Sequence, residues 1–111
     1  MHLVLEIVNH PPFDILQKNI QFDNRGGKIG RSKKAKWTLN DPTRKISNFH
    51  AEIRHKNGQF YITDISTNGM FVKNPHKKFI KGSPMLLDEK MVIEIGDYAI
   101  AVAVLEIKKE Q

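Results

Sequence analysis

Apolar residues recur along this chain with period two, in short runs rich in β-branched and aromatic side chains, each closed by a turn signal. The alternation puts successive side chains on opposite faces of an extended backbone, and no stretch carries the spacing of an amphipathic helix. The clearest case begins at Ala51. Ala51, Ile53 and His55 share one face, Glu52 and Arg54 the other, Lys56-Asn57-Gly58 turns the chain, and Gln59 to Ile65 returns. Asn-Gly is the strongest short hairpin signal, because both residues tolerate the positive φ that a tight turn demands. A second hairpin alternates Met91, Ile93 and Ile95 inward, turns at Gly96-Asp97 and returns from Tyr98 to Ile107. Further strands are expected at His2 to Val8, Ile15 to Phe22, Lys28 to Gly30, Trp37 to Leu39, Met70 to Lys73, Phe79-Ile80 and Met85-Leu86. About eleven strands without a helix predict an all-β fold, a β-sandwich of two sheets with binding loops at one end. Pro11-Pro12, Pro42, Pro75 and Pro84 fall between the strands, where a missing backbone donor costs nothing.

At 111 residues the chain fits one domain spanning 1–111, large enough to fold without a disulfide or structural metal. It has no Cys, which excludes thiol catalysis, iron–sulfur clusters and Cys-based zinc sites. The five histidines, His2, His10, His50, His55 and His76, show no paired ligand spacing, so neither a metal site nor a cofactor is expected. No apolar run approaches the roughly 18 residues of a membrane span, and the N-terminus lacks a secretory layout, so no membrane insertion and a cytoplasmic location are expected. The formal charge is +6, and it is unevenly placed. From Arg25 to Lys45 there are eight cations against one acid, Asp41. Such a field suits an anionic ligand or partner.

Three loops concentrate groups suited to phosphate. Gly26-Gly27-Lys28-Ile29-Gly30-Arg31-Ser32 combines glycines, which allow close backbone approach, with a guanidinium fork that matches two phosphate oxygens. It is neither of the nucleotide-loop motifs, and no helix follows it. Arg44-Lys45-Ile46-Ser47-Asn48-Phe49-His50 sets a hydroxyl and an amide beside two cations, and Asp64-Ile65-Ser66-Thr67-Asn68-Gly69 is dense in short polar side chains.

In order and spacing, Gly30-Arg31, Ser47-Asn48-Phe49-His50 and Asn68-Gly69 resemble the signature of the forkhead-associated (FHA) domain: GR, SxxH and NG on a β-sandwich. The resemblance covers nearly the whole chain and implies an eleven-stranded sandwich whose loops bind phosphothreonine peptides. It implies that Arg31, Ser47 and Thr67 bind the phosphate, that Asn48 and Asn68 bond the peptide main chain, and that Gly30, His50 and Gly69 are structural. Lys45, Arg44, Lys33 and Lys34 are read either as electrostatic support or as solvated surface. Phe49 is assigned to the core and Trp37 to a strand packed on the sandwich. Some positions depart from the pattern: Asn48-Phe49 stand where many members carry Arg after the motif serine, Met70 stands where Thr is common, and Asn74-Pro75 replaces a frequent Asn-Gly.

The wording Trp37-Thr38-Leu39-Asn40-Asp41-Pro42, Asp64 to Gly69 and Ile95-Gly96-Asp97-Tyr98 further resembles the N-terminal FHA domain of bacterial type VI secretion accessory proteins. That implies a bacterial cytoplasmic protein, a Ser/Thr kinase and phosphatase system, a phosphothreonine-containing partner protein, and a longer parent chain. Two other readings stand beside it: nucleic-acid binding through residues 25–45, disfavoured because no aromatic platform interleaves the cations, and a phosphate-independent interaction scaffold. A Ser47-His50-Asp64 triad is conceivable from spacing, but no nucleophile elbow or oxyanion hole accompanies it, and the chain is not read as an enzyme.

Overall fold

The computed structural model describes residues 2–73 and 75–106. Its elements are β1 (His2–Asn9), β2 (Asn19–Phe22), β3 (Gly27–Gly30), β4 (Trp37–Thr38), β5 (Ala51–Lys56), β6 (Gln59–Asp64), β7 (Phe71–Lys73), β8 (Lys77–Lys78), β9 (Met85–Leu86), β10 (Val92–Ile95) and β11 (Tyr98–Glu106). They form a six-stranded sheet in the order β2-β1-β11-β10-β7-β8 and a five-stranded sheet in the order β4-β3-β5-β6-β9. All strand pairs are antiparallel except β3 with β4. Among the described residues there is no helix, so the eleven-stranded two-sheet sandwich is as expected. Asn74 and Ile107, both named above, lie outside the described residues.

The alternation does what period two requires. In β1, Leu3, Leu5 and Ile7 are buried while the residues between them are not. They meet Phe22, Ile93, Ile95 and Ile100 on their own sheet and Ile29, Trp37, Ile53, Phe60 and Ile62 from the other, in one continuous core. Each such side chain contributes about 1.5–3 kcal/mol when removed from water. Trp37 is fully buried and donates its indole N–H to the Gln17 carbonyl at 3.0 Å, so its polar atom is satisfied. The first hairpin turns with Asn57 at φ 52° and Gly58 at φ 80°, both left-handed as a type I′ turn demands.

Two strands differ from the sequence reading. Only Asn19–Phe22 of the Ile15 to Phe22 run pairs as β2. The carbonyls of the preceding residues are taken by other partners: Asp14 by the Asn40 amide, Gln17 by Trp37, and Lys18 by the Ile7 N–H. The strand expected at Phe79-Ile80 lies two residues earlier, where Lys78 pairs with Phe71 and Lys77 with Val72. Phe79 enters the core beyond the strand end, and Ile80 is 72 % exposed at a turn closed by the Ser83 N–H on the Ile80 carbonyl.

The β3–β4, β4–β5, β6–β7 and β10–β11 loops meet at one end of the sandwich. The backbone N–H of Arg31 donates to the Ser47 carbonyl at 3.0 Å and that of Ser32 to the Asn48 carbonyl at 3.1 Å, which brings the first two together. Gly30 permits this approach, since a Cβ there would lie 2.2 Å from the Asn48 oxygen.

Candidate functional site

Arg31 leaves the end of β3 and turns its side chain back along the serine loop. Its Nε–H donates to the Ile46 carbonyl at 3.0 Å, which fixes the guanidinium plane. The two terminal amino groups have no partner among the described residues, so the fork remains open for an anion.

Ser47 is held on both sides. Its N–H donates to His50 Nδ1 at 3.1 Å, and its Oγ accepts the Thr67 N–H at 3.0 Å. An Oγ that already accepts from Thr67 keeps its own proton for a further acceptor. Thr67 is exposed beside it. Asn68 donates from Nδ2 to the Lys45 carbonyl at 2.9 Å, so Asn68 ties its loop to the serine loop and holds its amide oxygen available.

His50 has no exposed surface and makes two bonds, accepting from Ser47 at Nδ1 and meeting the Gly69 carbonyl at Nε2, 2.9 Å away. That pair of partners fits only the neutral ring protonated at Nε2. Burial pushes its pKa below the ordinary 6.5, although the Gly69 carbonyl and the Asp64 charge oppose the shift. Asp64 is equally buried, and its Oδ1 accepts from the Ser66 N–H at 2.9 Å and from the Ser66 hydroxyl. Ser66 Oγ in turn accepts the Gly69 N–H at 2.8 Å. The Ser47-His50-Asp64 triad is therefore absent: His50 receives the backbone N–H of Ser47, and Asp64 braces Ser66. Gly69 sits at φ 90°, a conformation that side-chain-bearing residues rarely adopt.

Asp41 frames the serine loop from below. Burial alone would raise its pKa, but bonds from the Thr43 hydroxyl and from the backbone N–H groups of Ile46, Thr43 and Lys45 outweigh it and hold the carboxyl below 3.8. The Ile46 N–H reaches Oδ2 at 2.8 Å. The sequence reading gives Asp41 no part in the site: there it is the one acid of a basic stretch and a member of the Trp37 to Pro42 wording. The Asp-x-Thr spacing, which suits a side chain bonding its own backbone two residues on, is the signal that marks its role.

The remaining expected residues divide. Asn48 is exposed at the loop tip. Arg44 is exposed with φ 62°. Lys33 is exposed, and Lys45 is engaged with Asp97 at 3.2 Å. Phe49 is not in the core: it is half-buried at the surface with the Lys28 ammonium 5.1 Å from its ring centre. Beside the site, a cavity of about 300 Å³ is lined by Lys45, Asn68, Gly69, Phe71, Glu94 and Asp97 among others.

Sequence reasoning missed Lys78 and Lys81. Lys81 Nζ donates to the Thr67 carbonyl at 2.6 Å. A Cβ on Gly69 would lie 3.0 Å from Lys78 Cε and 3.7 Å from its Nζ. The signal was present, for no acid stands between Asp64 and Asp88 while four lysines do. Their place at the same end of the sandwich depends on tertiary structure.

A family model described as FHA domain matches residues 27–96. No curated protein sequence matches the chain. Among solved structures, the chain is similar to an FHA domain studied for phosphothreonine-dependent FHA domain interactions, with 25 % identity, a TM-score of 0.72, and coverage of 96 % of this chain and 99 % of that one. It is similar to the FhaA FHA domain, solved in complex with the intracellular domain of Rv3910, with 26 % identity, a TM-score of 0.68, and coverage of 89 % and 97 %. The FHA domain of an Arabidopsis thaliana hypothetical protein shares the fold at 21 % identity with a TM-score of 0.78, covering 99 % and 91 %.

Proposed function

The chain belongs to the FHA domain family, whose members are interaction modules rather than enzymes, and on that premise we propose that it binds phosphothreonine-containing segments of a partner protein. The observation that carries the reading is the gathering of an open Arg31 fork and the Ser47 hydroxyl, with its free proton, on loops already bonded to each other. A phosphate monoester brings nearly two negative charges and three acceptor oxygens at neutral pH. Arg31 supplies a bidentate charge-assisted contact, Ser47 a hydroxyl donor to another oxygen, and Thr67 lines the pocket for the phosphate and the threonine methyl group. Asn68 offers its amide oxygen to the peptide main chain, and Asn48 contacts it from the opposite loop. Gly30, His50 and Gly69 hold the frame, and Lys45, Arg44 and Lys33 add positive field. The FHA domain of similar sequence that takes part in phosphothreonine-dependent interactions supports this reading.

The cellular setting is part of the same proposal. The resemblance to the N-terminal domain of type VI secretion accessory proteins supports a bacterial cytoplasmic regulator whose partner is phosphorylated by a Ser/Thr kinase and reset by a phosphatase. The domain would then be one unit of a longer protein.

The test is titration calorimetry against degenerate phosphothreonine, phosphoserine and unphosphorylated peptide pools, repeated with Arg31→Ala and Ser47→Ala. Binding confined to the phosphothreonine pool and lost in both variants is expected. Equal binding to all three pools would turn the reading to a phosphate-independent scaffold.

A further inference from the structure

Lys78 and Lys81 stand against the phosphate loop from the side opposite the basic 25–45 segment. Lys81 holds the carbonyl of Thr67, whose N–H is bonded to Ser47, so a single residue links its ammonium to the Ser47 hydroxyl. Lys78 extends along Gly69. Among the described residues neither ammonium is in an ion pair, whereas Lys45 has the exposed Asp97 carboxylate 3.2 Å away. The turn that carries them is anchored to the site, because the Gly82 N–H donates to the Asp64 carbonyl at 2.9 Å, directly before the loop that bears Thr67 and Asn68. On that same turn Ile80 is 72 % exposed. Together with Leu86, Pro84, Met85 and the two lysines 77 and 78 it lines a cleft of about 290 Å³.

An unpaired pair of cations followed by an exposed apolar cleft, continuous with the phosphate loop, is a surface with a definite complement. We propose that residues 77–86 form a second half of the peptide-binding surface, which takes acidic residues flanking the phosphothreonine at Lys78 and Lys81 and an apolar side chain beyond them at Ile80 and Leu86. The inference rests on the phosphothreonine reading above and specifies its ligand: an acidic phosphopeptide with an apolar anchor, from the same partner chain. Glu94 and Asp97 line the cavity that Lys45, Asn68 and Gly69 also line, and each already faces a partner, Asp97 the Lys45 ammonium and Glu94 the His76 ring.

Synthetic phosphothreonine peptides with one flank set in turn to Asp, Asn or Lys, each with Leu or Ser further out, test this on either side of the phosphothreonine. The wild-type domain should bind the best Asp-flanked peptide roughly tenfold more tightly than its Asn-flanked counterpart, two exposed charges each giving about two- to fivefold. In Lys78→Gln/Lys81→Gln that preference should shrink to within about twofold, read as the ratio of Asp-flanked to Asn-flanked affinity, so that a loss of phosphate binding common to both peptides cancels. Ile80→Ser should erase the preference for Leu over Ser. All three substitutions are at exposed positions, and melting curves check that the fold survives them. If the wild-type domain ignores the flanks, or the double variant keeps the preference, while binding still needs the phosphate and Arg31, the inference is overturned and the phosphothreonine reading stands. If no phosphothreonine peptide binds with any flank, both are overturned.

Discussion

Arg31 and Ser47 are at the centre of the residue scale because each has its remaining donors free while its other atoms are bonded into the frame. Removing a charge-assisted contact costs about 1.5–3 kcal/mol, so Arg31→Ala should weaken phosphopeptide binding tenfold to a hundredfold or more in calorimetry, with the melting temperature little changed. Arg31→Lys should recover only part of this, since an ammonium cannot match two oxygens at once. His50 gives the fold its own pH dependence. Its folded pKa is below the ordinary 6.5, so its contribution to stability is intact above that value. As pH falls through 6.5 the unfolded chain takes up the proton first, and stability is lost until the folded ring also titrates. Melting measured from pH 7.5 to pH 5 should show this decline, and His50→Gln should flatten it from a lower starting stability. A melting temperature that holds level across this range in the wild-type protein would contradict the assignment of the neutral ring.

Between elements, the contacts that matter are those joining one loop to the next. Gly30→Ala would place a methyl group 2.2 Å from the Asn48 oxygen, so β3 and the serine loop cannot keep their spacing. We expect the variant to keep its strand content by circular dichroism and lose phosphopeptide binding. Asp41→Ala removes the acceptor for the Thr43 and Ile46 N–H groups, and with Ile46 buried this should cost about 1–3 kcal/mol in urea unfolding and loosen the loop that presents Ser47. The strands and their turns were legible in the sequence because period two and Asn-Gly are local signals, as at Ala51 to Asp64. Where the sequence reading failed, a long-range bond decided. Ile15 to Lys18 has strand-like composition, yet its carbonyls are taken by Trp37, Asn40 and Ile7. Phe79-Ile80 looked like an apolar pair, but the fold buries one and turns the other outward. Arg31, Ser47, His50 and Gly69 were identifiable from motif spacing, whereas Lys81 was not, since long-range bonds such as those of Gly82 to Asp64 and of Phe79 to Met70 bring it to the site.

For the whole molecule the distribution of charge changes on folding. Along the chain the positive field belongs to residues 25–45, but in the sandwich Lys78 and Lys81 add to it across the phosphate loop. Phosphopeptide affinity should therefore fall steadily as salt is raised, and should also fall below about pH 6, where the phosphate takes up its second proton. Fluorescence titrations at several salt concentrations check the first and a pH series the second. A salt slope that persists with unphosphorylated peptide would instead indicate unselective attraction to anions.

The bonds from Thr67 to Ser47 and from Asn68 to Lys45 close the two loops on one another through the protein's own groups. Such a latch spares the incoming peptide the entropic cost of ordering the receptor. Encounter then becomes the slow step of capture, with rate constants of about 10⁶–10⁸ M⁻¹s⁻¹ expected under electrostatic steering, and residence time alone separates good partners from poor ones. On the proposed function, a module built in this way would register a newly modified partner as fast as the two diffuse together, with the duration of the signal left to whatever removes the mark.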